Sequence, residues 1–297
     1  MAMFSKLKLN QDFKDAIVLL RFPFFIYLMP VFLFAFTNTP YAHWDKTLAV
    51  FFILHFLVYP ASNGYNSYYD KDEGSIGGVE KPPPPNPYLW NMVLLLDLLA
   101  VFLSWWLVNV WFTAMVLVYL LISKGYSFPP TRWKKYPFVS FFLVCFFQGF
   151  FTYLMVKIGI RDSTYLTMTD WIYAAGASLL IGGAYPMSQI YQHEEDRKRG
   201  DETLSLFLGL KNTFIWTFCF GALALGVIGF GYYLQTRLWA LAVLVLINSH
   251  PTYYTWLYYR KVQKDPKNAN FQNTMTHQNI AAQAGNFSFV FIWLMDL

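Results

Sequence analysis

Tyr59 to Gly74 reads YPASNGYNSYYDKDEG, and 126 residues further on Tyr185 to Gly200 reads YPMSQIYQHEEDRKRG. Six of the sixteen positions are identical: Tyr59/Tyr185, Pro60/Pro186, Ser62/Ser188, Tyr65/Tyr191, Asp70/Asp196 and Gly74/Gly200. Asn63/Gln189 and Asn66/Gln192 exchange one carboxamide for another, and Lys71/Arg197 one cation for another. Lys134-Lys135 stands at the same offset from Arg260-Lys261. Tyr59, Asn63, Asn66 and Asp70 fall at i, i+4, i+7 and i+11, one stripe of a helix, and Tyr185, Gln189, Gln192 and Asp196 repeat the spacing. Each segment is therefore expected to be a helix, kinked at its proline, with polar groups along one face and a carboxylate at its end.

What flanks these segments is apolar. Apolar residues make up 56% of the 297-residue chain and charged residues 13%, about half the usual charged share of a soluble domain. So few charges cannot cover so much apolar surface, which excludes a soluble domain as well as disordered, collagenous and disulfide-rich chains. Cys145 and Cys219 both sit in apolar runs and read as packing residues. Met1 to Asp15 is hydrophilic and lacks a small-residue cleavage site, so no removable signal peptide is expected.

A membrane-crossing helix needs roughly 20 mostly apolar residues. Candidate spans run over 22–44 and 47–69, then as two short spans between 82 and 122 split near Asn109. Others cover 136–156, 171–192, 212–236, 238–259 and 278–295, nine in all. With nine spans one side holds 18 of the 22 basic residues, among them Lys6, Lys8, Lys14, Lys124 and Lys211, and the other holds Lys46, Lys157, Arg161 and Arg237. Basic residues collect on the inner side, which predicts a cytoplasmic N-terminus and an outer C-terminus, in a cell inner membrane. The expected fold is all-α: one integral membrane domain over 1–297, with two four-helix pseudo-repeats and a ninth helix around a central cavity.

Carboxamides and carboxylates at membrane depth are costly against lipid, so both stripes are expected to face that cavity. Asp72, Glu73, Glu194, Glu195, Asp201 and Glu202 bring the carboxylates of the two loops to eight. Oxygen donors without His or Cys clusters suit a hard cation such as magnesium. Magnesium commonly arrives with phosphates, for which Lys81, Arg132, Lys134, Lys135 and Arg197 lie on the same side. Asp97, inside the third span, reads either as a functional carboxylate or as a bond to a neighbouring helix. His55 reads as a packed histidine, and His193 sits within the second motif.

The two segments resemble the aspartate-rich motifs of the UbiA superfamily of intramembrane prenyltransferases, N-D-x-x-D-x-x-x-D and D-x-x-x-D. Here they stand as Asn66-Ser-Tyr-Tyr-Asp70-Lys-Asp-Glu-Gly74 and Gln192-His-Glu-Glu-Asp196, with Ser67, Gly74 and Gln192 where the family has aspartates. Lys81-Pro82, Asp196-Arg197, Gly200, Thr203-Leu204, Gly209, Arg21 and the stretch from Tyr126 to Lys135 also fall where the family has counterparts. The resemblance implies Mg2+ bridging the two carboxylate loops and the diphosphate of an isoprenyl substrate. It makes Asn66, Asp70 and Asp196 catalytic, and Asp70, Asp72, Glu73, Glu195 and Asp196 the metal set. It gives the substrate Arg21, Asn63, Lys81, Tyr126, Arg132, Lys134, Lys135, Gln189, Gln192 and Arg197. Ionisation would leave an allylic cation, shielded by aromatic faces such as Tyr59, Tyr65, Tyr68 and Tyr69, for a lipophilic or aromatic acceptor to attack. The partners are thus the diphosphate, the acceptor and membrane lipid, with no nucleic acid. A UbiA-type terpene cyclase is one alternative and a transporter or binding protein another, since transporters also carry repeats with polar broken helices. Topology is testable directly: cysteines at Ser75 and Ser205 should react with an impermeant thiol reagent only once the inner face is opened, and labelling of intact cells would invert the orientation.

Overall fold

The computed structural model describes residues 2–161 and 163–296, with side chains from Gln11 onward, so Lys6 and Lys8 of the inner basic set lie outside the described side chains. Among the described residues thirteen α-helices follow one another: α1 Ala2–Leu20, α2 Met29–Thr37, α3 Trp44–Phe52, α4 Tyr59–Asp70, α5 Pro87–Leu107, α6 Val110–Ser127, α7 Pro137–Val144, α8 Thr152–Arg161, α9 Met168–Met187, α10 His193–Arg199, α11 Leu204–Leu234, α12 Leu238–Lys264 and α13 Phe271–Met295. Among the described residues there is no strand, only one isolated antiparallel bridge between Ile76 and Val79. Among the described residues five helices are long and apolar enough to cross a membrane: Trp44–Asp70, α5, α6, Pro137–Arg161 and α11. They become six if Gln11–Tyr27 and Met29–Thr37 form one broken span. α9, α12 and α13 occupy the ranges expected for the sixth, eighth and ninth spans, with 20, 27 and 25 residues. They are long enough to span but too polar to join that set.

The chain divides into two compact units. The first comprises Met1–Phe25 and His43–Trp133. In it α3 runs into α4 through a π-helical segment, Ile53–Val58. The wider turn sits just before Pro60, which has no N–H to donate and would clash with the carbonyl four residues back in a regular helix. A β-carbon on Gly64 would lie 2.7 Å from Leu20 and 2.9 Å from Val93, so only glycine lets α4 approach α1 and α5 this closely. Asn86 and Asn109 cap α5 and α6 by accepting from backbone N–H groups, and the turn expected near Asn109 is there. Asp97 meets Lys124 across α5 and α6 at 2.6 Å, which resolves its two readings in favour of the helix–helix bond.

The first expected span, 22–44, is interrupted. α1 stops at Leu20, Arg21 adopts φ +51, and a 3-10 turn covers Phe22–Tyr27 before α2 begins. An apolar run reports that a segment tolerates lipid, not that its backbone stays helical.

The second unit comprises Ile26–Ala42 and Lys134–Leu297. Its core joins rings from α2, α8, α9, α11 and α13: Phe34 lies 5.1 Å from both Tyr153 and Tyr173 and 4.7 Å from Phe289, and Tyr173 lies 5.3 Å from Tyr232. The polar residues of α12 and α13 pair with one another, Asn248 with Ser288 at 3.1 Å, Thr255 with His277 at 2.8 Å and Tyr258 with Thr274 at 2.9 Å. Asn286 of α13 donates to the carbonyl of Ile26, a group left over by the broken run before α2. Where α8 ends and α9 begins, the buried side chains of Lys157 and Asp170 form an ion pair. Lys157 also donates to the carbonyl of Asn38 at 2.9 Å, and Arg237 joins Asn38 to Asp296.

Removing one partner of a buried ion pair strands the other, at a cost of about 3–5 kcal/mol. Lys157→Met should therefore lower the unfolding midpoint in detergent steeply. Lys157→Met/Asp170→Asn should recover much of the loss, and a double variant as unstable as the single would show that the pair itself is not the source.

Candidate active site

In the first unit Tyr59, Asn63, Asn66 and Asp70 lie on one unbroken helix, with Asp70 its last residue. Lys71 follows in the left-handed region at φ +50, turning the chain away so that the half-buried Asp70 ends the stripe. Asn66 donates to Oγ of Ser127, the buried last residue of α6, at 2.6 Å. Ser127 is a contact the sequence reading missed, because nothing in a serine at a helix end marks it. Arg21 donates to the carbonyl of Asn63 at 3.2 Å. After Asp72 and Glu73 the loop folds back: Ile76 and Val79 exchange two backbone hydrogen bonds of 2.9 Å, and Ile76 is buried beside Leu19 and Leu20. Lys81 lies beyond that turn and is exposed. Tyr126 is half-buried at the end of α6, and Arg132, at φ +34, closes a turn onto Phe128. Tyr65 packs into the core with residues of α1 and α5, and the ammonium of Lys124 stands 5.0 Å from its ring centre. Tyr65 is therefore a core residue and not one of the cation-shielding faces expected from the sequence.

The second motif departs from the expected stripe. α9 ends at Met187, Ser188 to Tyr191 form turns, and a new helix, α10, starts at His193. Pro186 sits at the second-last position of α9, and Oγ of Ser188 donates back to the carbonyl of Tyr185 at 2.6 Å. Gln189 is buried and its Oε1 accepts the N–H of Ser205 at 3.2 Å, so it caps α11 from outside. Gln192 precedes α10 as its N-cap residue. Asp196 accepts from Oγ1 of Thr203 at 3.0 Å. The carboxylate of the buried Asp201 lies 3.9 Å from the ammonium of Lys134, and the N–H of Glu202 bonds the carbonyl of Lys135 at 3.3 Å. The loop after α10 is thus docked on Lys134 and Lys135. Glu195 is paired with Arg199 one helical turn on, Arg197 is exposed, and Lys135 stands 4.8 Å from the ring centre of Tyr136. Ser205 is buried, so a labelling cysteine belongs at the exposed Lys198 instead.

Burial is the main reason that Asp196 is pushed up to about 6; Asp201 and Glu195 add to the rise, while the Thr203 hydrogen bond and Lys134 oppose it. Burial, with a smaller contribution from Arg197, holds His193 down to about 4. Among the described residues no three carboxylate, imidazole or thiol side chains come together as a ready cation cage. Magnesium does not need one: it is usually held by one or two carboxylates together with water and substrate phosphates. An all-oxygen pair such as Asp196 and Asp201, with a lysine beside it for a phosphate, fits that habit.

The sequence profile of the UbiA prenyltransferase family matches residues 27–280. The chain belongs to this family. No curated protein matches it by sequence. Among solved structures, a UbiA homolog from Archaeoglobus fulgidus bound to GPP and Mg2+ is 17% identical, with a TM-score of 0.66 over 94% of this chain and 99% of that one. A structure of digeranylgeranylglyceryl phosphate synthase is 18% identical, with a TM-score of 0.61 over 96% and 98% of the two chains. A UbiA homolog from Aeropyrum pernix K1 is 13% identical, with a TM-score of 0.62 over 92% and 97%. At these identities the likeness is one of fold, and it agrees with the all-helical membrane architecture.

A carboxylate raised in the folded state favours folding while protonated. The metal-free protein should lose stability as pH climbs from about 4, the ordinary aspartate value, through about 6. Thr203→Val removes a hydrogen bond to the charged form and should move the midpoint above 6. Infrared difference spectra against Asp196→Asn would follow the protonated carboxyl band, and an unmoved midpoint would dismiss Thr203 as its partner.

Proposed function

We propose that this chain is an intramembrane prenyltransferase that ionises an isoprenyl diphosphate with magnesium and passes the prenyl group to a lipophilic, aromatic acceptor. The observation that carries the reading is the grouping of Asp196, Asp201 and Lys134 in the second unit, on segments that follow or precede the apolar helices rather than within them. Acids and a base together suit a cation and a phosphate, whereas a transporter would set its polar groups at mid-membrane. Family membership supports the same reading, and the Archaeoglobus homolog was solved with the ligands it calls for.

Asp70 and Asp196 are the principal metal ligands, with Asp72, Glu73 and Glu195 in support. Bound magnesium would take up negative charge developing on the diphosphate as the C–O bond breaks. Lys134 and Arg132 neutralise the phosphates that the carboxylates leave bare. Asn66, held by Ser127, fixes the face of α4 from which Asp70 projects. The guanidinium of Arg21, anchored on Asn63, orients an acceptor that carries a carboxylate or phenolate.

The test is purified protein with magnesium and a series of prenyl diphosphates, following pyrophosphate release with and without an aromatic acceptor. Asp70→Asn and Asp196→Asn should each cost roughly 100-fold or more, the scale of losing a principal electrostatic contact in a transition state. Arg21→Ala should weaken acceptor use more than diphosphate use. Near-normal turnover by Asp70→Asn would reduce Asp70 to a solvated helix end. Cyclic hydrocarbon or alcohol formed at full rate from the diphosphate alone would make the protein a cyclase.

A further inference from the structure

α10 has seven residues, none of them fully buried, and a helix that short is not stable by itself. Two of its side chains reach α11 from the same face, three positions apart. Asp196 accepts from Thr203, and Nε2 of His193 lies 2.8 Å from Oγ of Ser205. These two contacts differ in what catalysis does to them. A cation taken by the Asp196 carboxylate draws off the negative charge that strengthens its bond from Thr203, whereas the imidazole contact involves no proposed ligand.

Ser205 is itself fixed from three sides. Its N–H goes to Gln189, its Oγ lies 3.1 Å from Oγ1 of Thr213, and Thr213 bonds back to the carbonyls of Ser205 and Gly209. Gly209 adopts φ +72 and ψ 164 inside α11, which brings Thr213 back onto Ser205. Ser205 and Thr213 are both fully buried.

We propose that His193 is a positioning residue: through Ser205 it pins α10 to the kinked start of α11, and so keeps Asp196 in place when its carboxylate takes a cation. This rests on the prenyltransferase reading for its consequence, though not for its structural content.

Two measurements on the full-length protein in lipid nanodiscs test it. The first is amide hydrogen exchange of residues 193–200 without metal. The second is the magnesium concentration that gives half-maximal pyrophosphate release from a prenyl diphosphate. His193→Ala should speed exchange in that segment by about fivefold, the worth of one lost side-chain hydrogen bond, and raise the magnesium requirement by about the same factor. Turnover at saturating magnesium should stay near that of the parent. His193→Gln, which keeps a polar group near the Nε2 position, should restore both, and Ser205→Ala should mimic His193→Ala with no further loss in the double variant. If His193→Ala folds poorly, Ser205→Ala carries the test alone. Unchanged exchange in either variant, or an unchanged magnesium requirement in an active protein, would overturn the pin. Failure of the parent to release pyrophosphate with any prenyl diphosphate would instead overturn the prenyltransferase reading, and the exchange result would still judge the pin.

Discussion

A polar group placed at membrane depth has no water to satisfy it and must find its partner within the protein. That constraint accounts for features of this chain that apolar patterning alone leaves unexplained. Lys157 and Arg237, two of the four basic residues counted on the outer side, are held by Asp170 and Asp296. Asp97 is bound to Lys124, and the carboxamides and hydroxyls of α12 and α13 are spent on one another. The same rule covers the backbone. Where the chain leaves the helix after Leu20, the carbonyl of Ile26 is taken by Asn286. α12 and α13 fall short of the five most apolar helices, and much of their polarity is internal cross-linking.

Much of this was legible in the sequence. The apolar excess, the boundaries of most helices and the turn at Asn109 follow from composition and capping chemistry, since each is decided by a few neighbouring residues. The family resemblance followed from motif spacing. What was not legible depends on residues far apart in the chain. The break in the first expected span is not legible because nothing local to Phe22–Trp44 reports the positive φ of Arg21. Tyr65 was placed among the cation-shielding rings because period alone cannot say which neighbour a helix face will meet. Ser127 and Thr203, which hold Asn66 and Asp196, are small hydroxyl residues whose part appears only when α6 and α11 supply them.

The pseudo-repeat is the sharpest case, because one sequence pattern gives two local structures. Tyr59–Asp70 stays helical: the π-helical segment before Pro60 absorbs the proline, and Gly64 lets two helices close in. At the position equivalent to Gly64 the second copy has Ile190, which is buried with Met187, Phe214, Tyr258 and Val262. Burying such a side chain is worth about 1.5–3 kcal/mol, and Gln189 gains a buried bond to the N-terminus of α11. These tertiary gains outweigh the helical hydrogen bonds lost over 188–192. Asp70 therefore sits on a helix anchored in a core, and Asp196 on a short helix anchored by side chains. Glycine at one position and isoleucine at its equivalent thus go with two different anchorages of the repeated carboxylate, one by helix packing and one by side-chain hydrogen bonds.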